Sequence, residues 1–329
     1  MSASVSFVCV VESGWLESQT VRLIESLRRH GGRFANAPIY AVTPRFGPPL
    51  RRATHDTFER HVVRRLRSSM PSSYEWFTAI AKPRALAMAE EQATTEVMCW
   101  LDSGLLILSS PDALQLTNED FAACASDKEM GTSGPGDVLE PLWLELCKAA
   151  GVSIDALPWL TTENDHKRIR AYWSGGFFAY RRATGFGREY LRTCHALLDA
   201  KVVSAAPGYS TGINEISALG LTAARLKLRW RALPNFYNYP FGPKVPPEWY
   251  TPERAKEVKV MRYHDAMQPW YWPTFIERLS ASHPDAAAWI RPLGAMTVET
   301  SLPNRLLGRA LQELRNRREA AYRATCRTV

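Results

Sequence analysis

The chain has 329 residues, 46% of them hydrophobic and 22% charged, which is enough for a sizeable core and excludes collagen, low-complexity disorder and a disulfide scaffold. Its formal net charge of +8 is confined to two blocks, since residues 22–67 hold eleven Arg against Glu25, Asp56 and Glu59, and residues 303–329 hold seven Arg against Glu313 and Glu319. The remainder is net acidic, so the surplus does not describe a nucleic-acid-binding surface spread over the molecule.

Val5–Val11 is a continuous apolar run of the kind found in a strand buried on both faces. Ser13 is a helix N-cap candidate, and Val21, Leu23, Ile24 and Leu27 repeat at helical spacing until Gly31-Gly32. Residues 38–42 and 61–66 predict two further strands, residues 73–92 a long helix interrupted near Pro83, and residues 96–101 a fourth strand ending in Asp102-Ser103-Gly104. Strands are also predicted at 121–125, 172–180, 222–230 and 258–263, and helices at 184–200 and 212–220. Between 125 and 172 lies a long polar, glycine-containing stretch. Two or three helices close the chain, the last over about 303–323.

This alternation predicts an α/β fold with a mostly parallel central sheet, flanking helices and a C-terminal helical extension. No repeat or linker divides it, so residues 1–300 read as one unit and 301–329 as a basic amphipathic helix. In that helix Leu306, Leu307, Ala310, Leu311 and Leu314 recur at helical spacing among arginines. Such a segment either lies on an anionic membrane or packs on the core.

The six cysteines lack ligand spacing and read as core residues in a reducing cytosol. The first apolar run breaks at Glu12, which marks a strand rather than a signal peptide. No apolar stretch approaches the ~18–20 residues that cross a bilayer. A cytoplasmic protein, at most peripheral to a membrane, is expected.

An open parallel sheet binds ligands at the carboxyl ends of its strands. No GxGxxG follows the first strand, and GxxxxGK[ST], HExxH and GxSxG are absent from the sequence. What remains is Asp102 at the end of a buried strand. A carboxylate there either holds a divalent ion that neutralises a leaving diphosphate, or caps the turn.

Further features stand in order around it: Lys82 twenty residues earlier, Trp173-Ser174-Gly175-Gly176-Phe177, then Gly212-Ile213-Asn214-Glu215, Leu233-Pro234-Asn235-Phe236-Tyr237-Asn238, and His264-Asp265-Ala266-Met267-Gln268-Pro269-Trp270. Together they resemble the nucleotide-sugar glycosyltransferases of the GT-A fold, nearest to the glycogenin and lipopolysaccharide galactosyltransferase family, over residues 4–275. The resemblance implies a GT-A-like, Rossmann-related domain with a donor half at about 1–125 and an acceptor half at about 126–300. It implies a hexosyl- or pentosyltransferase that uses a UDP-sugar and retains anomeric configuration.

Residue by residue, it implies Asn214 and Glu215 at the reacting carbon. Donor contacts fall on Glu12, Lys82, Asp102, Ser103, Gly104, Ser174, Gly175, Gly176, Gln268 and Trp270. Asp102 and His264 would hold Mn²⁺ or Mg²⁺, with Asp265 orienting His264. Two departures weaken that metal site: Gly104 replaces the second aspartate of the Asp-x-Asp pair, and Gln268 replaces a late lysine. Lys82, Arg84, Arg181 or Arg262 could then neutralise the diphosphate in place of an ion. Three alternatives remain at this stage: metal-assisted transfer, metal-independent transfer, and a silent sugar- or nucleotide-binding protein. The acceptor is open among a glycan, a lipid-linked glycan and a modified base in DNA. Trp159, Trp173, Trp270 and Trp272 are candidate platforms for sugar rings.

Overall fold

The computed structural model describes residues 4–69, 73–206, 213–298 and 300–329. The first strands and helices alternate: β1 (Val5–Val10), α1 (Trp15–His30), β2 (Ile39–Thr43), α2 (Arg52–Arg60), β3 (Val63–Arg67), α3 (Ala81–Gln92) and β4 (Val97–Leu101). Then come β5 (Leu105–Ile107), β6 (Phe121–Cys124), α4 (Glu140–Ala150), β7 (Trp159–Thr161), β8 (Arg168–Arg170), β9 (Phe177–Arg181), α5 (Phe186–Asp199), β10 (Val202–Val203) and α6 (Ile213–Arg225). The last part holds β11 (Trp230–Leu233), β12 (Tyr239–Pro240), α7 (Pro252–Glu257), β13 (Val260–Arg262), α8 (Trp272–Ser282), α9 (Pro284–Ile290), α10 (Leu302–Arg323) and β14 (Arg327–Thr328).

Seven strands form the central sheet in the order β11-β6-β9-β4-β1-β2-β3. Every pairing in it is parallel except the two made by β9. Burial explains the apolar runs, because β1 and β4 are buried along their whole length and side chains alternate between two cores. On one face Val8, Val10, Met98 and Trp100 meet Leu86, Tyr190 and Leu219 of α3, α5 and α6. On the other, Phe7, Cys9, Cys99 and Leu101 meet Leu23, Ile24 and Leu27 of α1. A smaller sheet, β12-β13-β5, carries α8 and α9 on a third core. The expected α/β architecture, with its closing helix, is therefore the one observed.

Several boundaries differ from expectation for physical reasons. The helix predicted over 73–92 begins only at Ala81, because Trp76 and Phe77 leave the helical path and bury themselves, Trp76 against Tyr322 at 4.7 Å between ring centroids. The strand predicted over 172–180 starts at Phe177, since the Gly175 carbonyl is taken by the Lys82 side chain. The segment predicted as a strand over 222–230 is helix as far as Arg225, where Ala218, Leu219, Leu221 and Ala223 are buried, and β11 follows it. Helix α4 was hidden in the polar stretch. Leu142, Trp143, Leu146, Cys147 and Ala150 form its buried stripe, and Gly151 at φ +66° ends it. Helix α2 buries only Thr54, Thr57 and Phe58, too thin a stripe to read.

All cysteines but Cys326 are buried. Burial pushes the thiols of Cys9 and Cys147 up to about 12, so these are core groups with little thiolate character. Among the described residues no helix is long and apolar enough to cross a membrane.

Candidate active site

The parallel strands end on one edge, and the residues that follow them gather there. Glu12 follows β1, Arg45 follows β2, Asp102 follows β4 and Asp127 follows β6. Because β9 runs the other way, the segment Ser174-Gly175-Gly176 before it reaches the same edge.

Asp102 is fixed from three sides. Its N–H donates to the Gly176 carbonyl at 2.9 Å, its carbonyl accepts from Leu105 N–H at 3.0 Å, and Trp100 Nε1 donates to its Oδ1 at 2.7 Å. Ser103 Oγ donates to the Val10 carbonyl at 2.8 Å, locking the end of β4 to β1. Lys82, in the first turn of α3, donates to the Gly175 carbonyl at 2.8 Å. Its Nζ lies 3.1 Å from Glu215 Oε1, 3.6 Å from Asp102 Oδ1 and 5.7 Å from the Trp100 ring centroid. Tyr190 donates its hydroxyl to Glu215 Oε1. Burial works to lower the Lys82 pKa, but the Asp102 and Glu215 carboxylates outweigh it and hold the ammonium above its ordinary value.

The glycines are required by these contacts. A Cβ at Gly175 would stand 2.7 Å from Lys82 Nζ, and one at Gly176 2.5 Å from Asn238 Oδ1. At the end of β1, Glu12 receives Arg45 in a two-pronged pair, Nε–Oε1 2.8 Å and Nη2–Oε2 2.6 Å. His264 has a left-handed backbone, φ +43°. His264 is exposed, yet desolvation by burial, and next the Arg262 charge, push its pKa down to about 4 against the opposing pull of Asp265 and Asp102. It is neutral at pH 7.

Three cavities join along this edge. A central one of about 410 Å³ is lined by Glu12, Gln19, Arg45, Lys82, Trp100, Asp102, Glu215, Arg262 and His264, among others. Through Gln19, Arg262 and His264 it opens into a second of about 600 Å³, bounded by Trp15, Trp249, Asp127, Glu129 and Asp165. Through Glu12, Arg45 and Thr78 it opens into a third of about 440 Å³ beneath α10. Burial, and then Glu129, push the Asp127 carboxyl up to about 6.

Of the sequence-predicted residues, Glu12, Lys82, Asp102, Ser103, Gly104, Glu215 and His264 line the central cavity. Gly175 and Gly176 serve it through their carbonyls. Ser174 bonds Ser126 at 2.7 Å behind it. Asn214 is fully buried, its amide without a hydrogen-bond partner among the described residues, outside the walls of these three cavities. Gln268 is turned to Asp265, and Trp270 is exposed beside Tyr271; both stand outside the same walls. Trp173 is core, Trp159 lies under Arg168 and Arg170, and Trp272 packs on Arg22. Gly212 lies outside the described residues.

The cation candidates divide in the same way. Lys82 and Arg262 line the cavity, whereas Arg84 pairs with Glu75 at 3.1 Å and Arg181 binds the carbonyls of Leu116, Thr117 and Glu119. Arg262 has a buried Nε with no hydrogen-bond partner among the described residues.

The donor set does not fit a dedicated divalent-ion site. Among the described residues there is no group of three or more His, Cys, Asp or Glu side chains that could hold a metal. Asp102 already faces the Lys82 ammonium, Asp265 is paired with Lys244 at 3.1 Å, and a Cβ at Gly104 would point at Gln19 Nε2, 3.3 Å away. One exposed imidazole and one carboxylate shared with Lys82 make no all-protein site, so an ion here would depend on the donor's phosphates and water to complete its shell.

Sequence reasoning missed Gln19, Arg45, Trp100, Asp127 and the inner face of α10. Arg45 and Asp127 lie two and three residues past strand ends, so the strand-end rule applied to every strand would have found both.

Residues 7–209 match the model of the Rhodobacterales glycosyltransferase domain. That is more than half of the chain, and the chain belongs to this family. No curated protein matches it. Among solved structures it is similar to the galactosyltransferase LgtC in complex with donor and acceptor sugar analogues, at 12% identity and TM-score 0.47, covering 90% of this chain and 98% of that one. It is also similar to the bifunctional glycosyltransferase WbbM in its apo form, at 12% identity, TM-score 0.45 and 90% coverage of this chain. A third is the glycosyltransferase GlyE of Streptococcus pneumoniae TIGR4, at 14% identity, TM-score 0.44, 91% of this chain and 66% of that one. The chain spans about half, 52%, of the WbbM chain.

Proposed function

We propose, with membership of the Rhodobacterales glycosyltransferase domain family as the premise, that the protein transfers a sugar from a nucleoside diphosphate donor, a UDP-sugar first among them, to an acceptor hydroxyl. The observation that carries this reading is the Lys82–Asp102–Glu215 cluster, 3.1 and 3.6 Å across its ion pairs, set at the carboxyl end of β4 where three cavities meet.

In this reading the donor sugar occupies the central cavity and the acceptor the 600 Å³ cavity. The bond between the anomeric carbon and the diphosphate oxygen breaks with its electron pair going to the phosphate. The acceptor oxygen forms the new bond, and its proton passes to the departing phosphate oxygen. If the acceptor enters on the face the diphosphate leaves, configuration is retained, as the resemblance implies. Lys82 and Arg262 supply the positive charge that meets the developing negative charge, which is the largest single contribution in most such reactions. Glu215, held by Tyr190, and Asp102, held by Trp100, keep Lys82 in place. Trp15 and Trp249 offer flat faces to an acceptor ring.

A lipid-linked glycan is the acceptor class that α10 supports. Its outward face carries Leu302, Leu306 and Leu314, all exposed, near Arg317 and Arg318, a pattern suited to peripheral contact with an anionic membrane from the cytoplasmic side.

The test is donor turnover with UDP-, GDP-, ADP- and dTDP-sugars, each with Mn²⁺ and after chelation. Turnover that survives chelation is expected for at least one donor. No turnover and no thermal shift with any of them would overturn the transferase reading. Activity that vanishes on chelation and returns with Mn²⁺ would overturn the role given to Lys82 and Arg262. Flotation with anionic liposomes, lost when residues 302–329 are removed, checks the membrane contact.

A further inference from the structure

Helix α10 lies outside the residues that match the family model, and its amphipathicity is inverted. Leu302, Leu306, Leu307 and Leu314 point away from the domain and are between 37% and 60% exposed. The residues it presents to the 440 Å³ cavity are mostly polar, Asn304, Arg305, Arg309, Gln312 and Arg315 with Leu311 among them, and of these Arg305, Arg309 and Gln312 also remain exposed to solvent. A helix that merely covered the core would do the reverse.

The helix is docked along its length. Arg315 Nη2 donates to the Phe46 carbonyl at 2.7 Å, and Tyr322 donates its hydroxyl to the Leu198 carbonyl at 2.7 Å. The two arginine-rich blocks, more than 230 residues apart in sequence, thus meet across one cavity. Arg45 and Arg315 face it from opposite walls, and Glu12 is the one acidic side chain on its walls among the described residues. Glu12 is already paired with Arg45. Arg305 and Arg309 have no hydrogen-bond or ion-pair partner for their side chains among the described residues. Such charges without partners, facing a cavity, suit an anionic ligand.

The charges are divided along the cleft. The cavity beneath α10 has four arginines and one acid, while the 600 Å³ cavity has Asp127, Glu129, Asp165 and Asp265 against Lys244 and Arg262. A nucleoside diphosphate is the anionic part of the donor, so it is drawn to the first and repelled by the second.

We infer that α10 is the outer wall of the donor cleft and that Arg305 and Arg309 bind the phosphate-bearing nucleotide of the donor; this rests on the transferase reading above. From there the diphosphate runs past Glu12, Arg45 and Thr78 to Lys82 and Arg262, so that the sugar it carries reaches the reaction centre.

The test measures UDP binding to the full chain by calorimetry, comparing the unaltered protein with Arg305→Ala/Arg309→Ala and Arg305→Lys/Arg309→Lys. Circular dichroism confirms that each variant is folded, as expected for two exposed, unpaired side chains. The expected result is a roughly ten- to hundredfold loss of UDP affinity in the alanine pair, with partial recovery in the lysine pair. Its salt dependence should also be shallower. Unchanged UDP affinity in the folded alanine pair would overturn the inference while leaving the transferase reading intact. Absence of UDP or UDP-sugar binding by the unaltered chain, together with no turnover of any donor, would overturn both. A loss confined to a sugar 1-phosphate probe, with UDP unaffected, would overturn it in favour of a phosphorylated acceptor.

Discussion

Lys82→Met tests the centre of the site most directly. The substitution keeps much of the apolar stem and removes the charge. At an effective dielectric constant of about 20, the 3.1 Å approach to Glu215 corresponds to about 5 kcal/mol of attraction. The pair with Asp102 at 3.6 Å is worth under ~1 kcal/mol, because that carboxylate is 38% exposed and screened. Removing the ammonium also removes its own desolvation cost, but leaves Glu215 buried and the Gly175 carbonyl without its donor. The balance is a loss of about 2–4 kcal/mol. The effect is full at pH 7, since a lysine whose folded pKa is raised contributes its stability below the ordinary value near 10.4 and loses it only as pH rises through the raised one. Turnover should fall about 10²–10³-fold if Lys82 meets the leaving diphosphate. Urea unfolding at pH 7 and donor turnover read the two effects separately. An unfolding midpoint and a turnover both matching the unaltered chain would refute the reasoning.

Gly175→Ala and Gly176→Ala should separate in their consequences. The new methyl at 175 displaces a flexible ammonium, so activity falls with little change in thermal midpoint; at 176 it meets the buried Asn238 amide, costing roughly 1–3 kcal/mol. Asp127→Asn should stabilise the fold by about 1–2 kcal/mol at pH 7 and by nothing below pH 4. A carboxyl raised to about 6 opposes folding once ionised, and that penalty disappears as pH falls through 6 toward the unfolded value; equal stability of the two proteins at pH 7 would contradict this. Trp100→Phe, losing the 2.7 Å bond to Asp102, should lower turnover about tenfold with a smaller effect on KM. The pH profile of turnover between 5 and 9 should carry no inflection removable by His264→Gln, because His264 titrates near 4.

The first half of the fold was legible because burial on both faces leaves an unbroken apolar run, as in Val5–Val11 and the strand before Asp102. The order of Lys82, Asp102 and the Ser174-Gly175-Gly176 segment was legible too, since each sits next to a clear strand or turn. What escaped notice depended on partners distant in sequence. Arg45 is interpretable only beside Glu12, and Trp100 looks like one more core aromatic until its indole N–H is seen on Asp102. Tyr190 is silent until α5 meets α6. The C-terminal helix misled in a specific way, since spacing reveals that one face is apolar but not which face meets the domain. Gln268 and Trp270 matched a remote pattern, and neither lines the three cavities: Gln268 bonds Asp265 at the rim of one of them, and Trp270 is exposed.

Five of the six thiols are sealed in the core, and the sixth, Cys326, sits at the foot of α10, where its Sγ approaches the Tyr322 carbonyl at 3.4 Å. The chain thus comes with a built-in attachment point. A maleimide fluorophore added to the native protein should label this one position and leave the core cysteines untouched. Its emission would then register whether the terminal helix stays seated while donor enters and product leaves, with no engineered residue required.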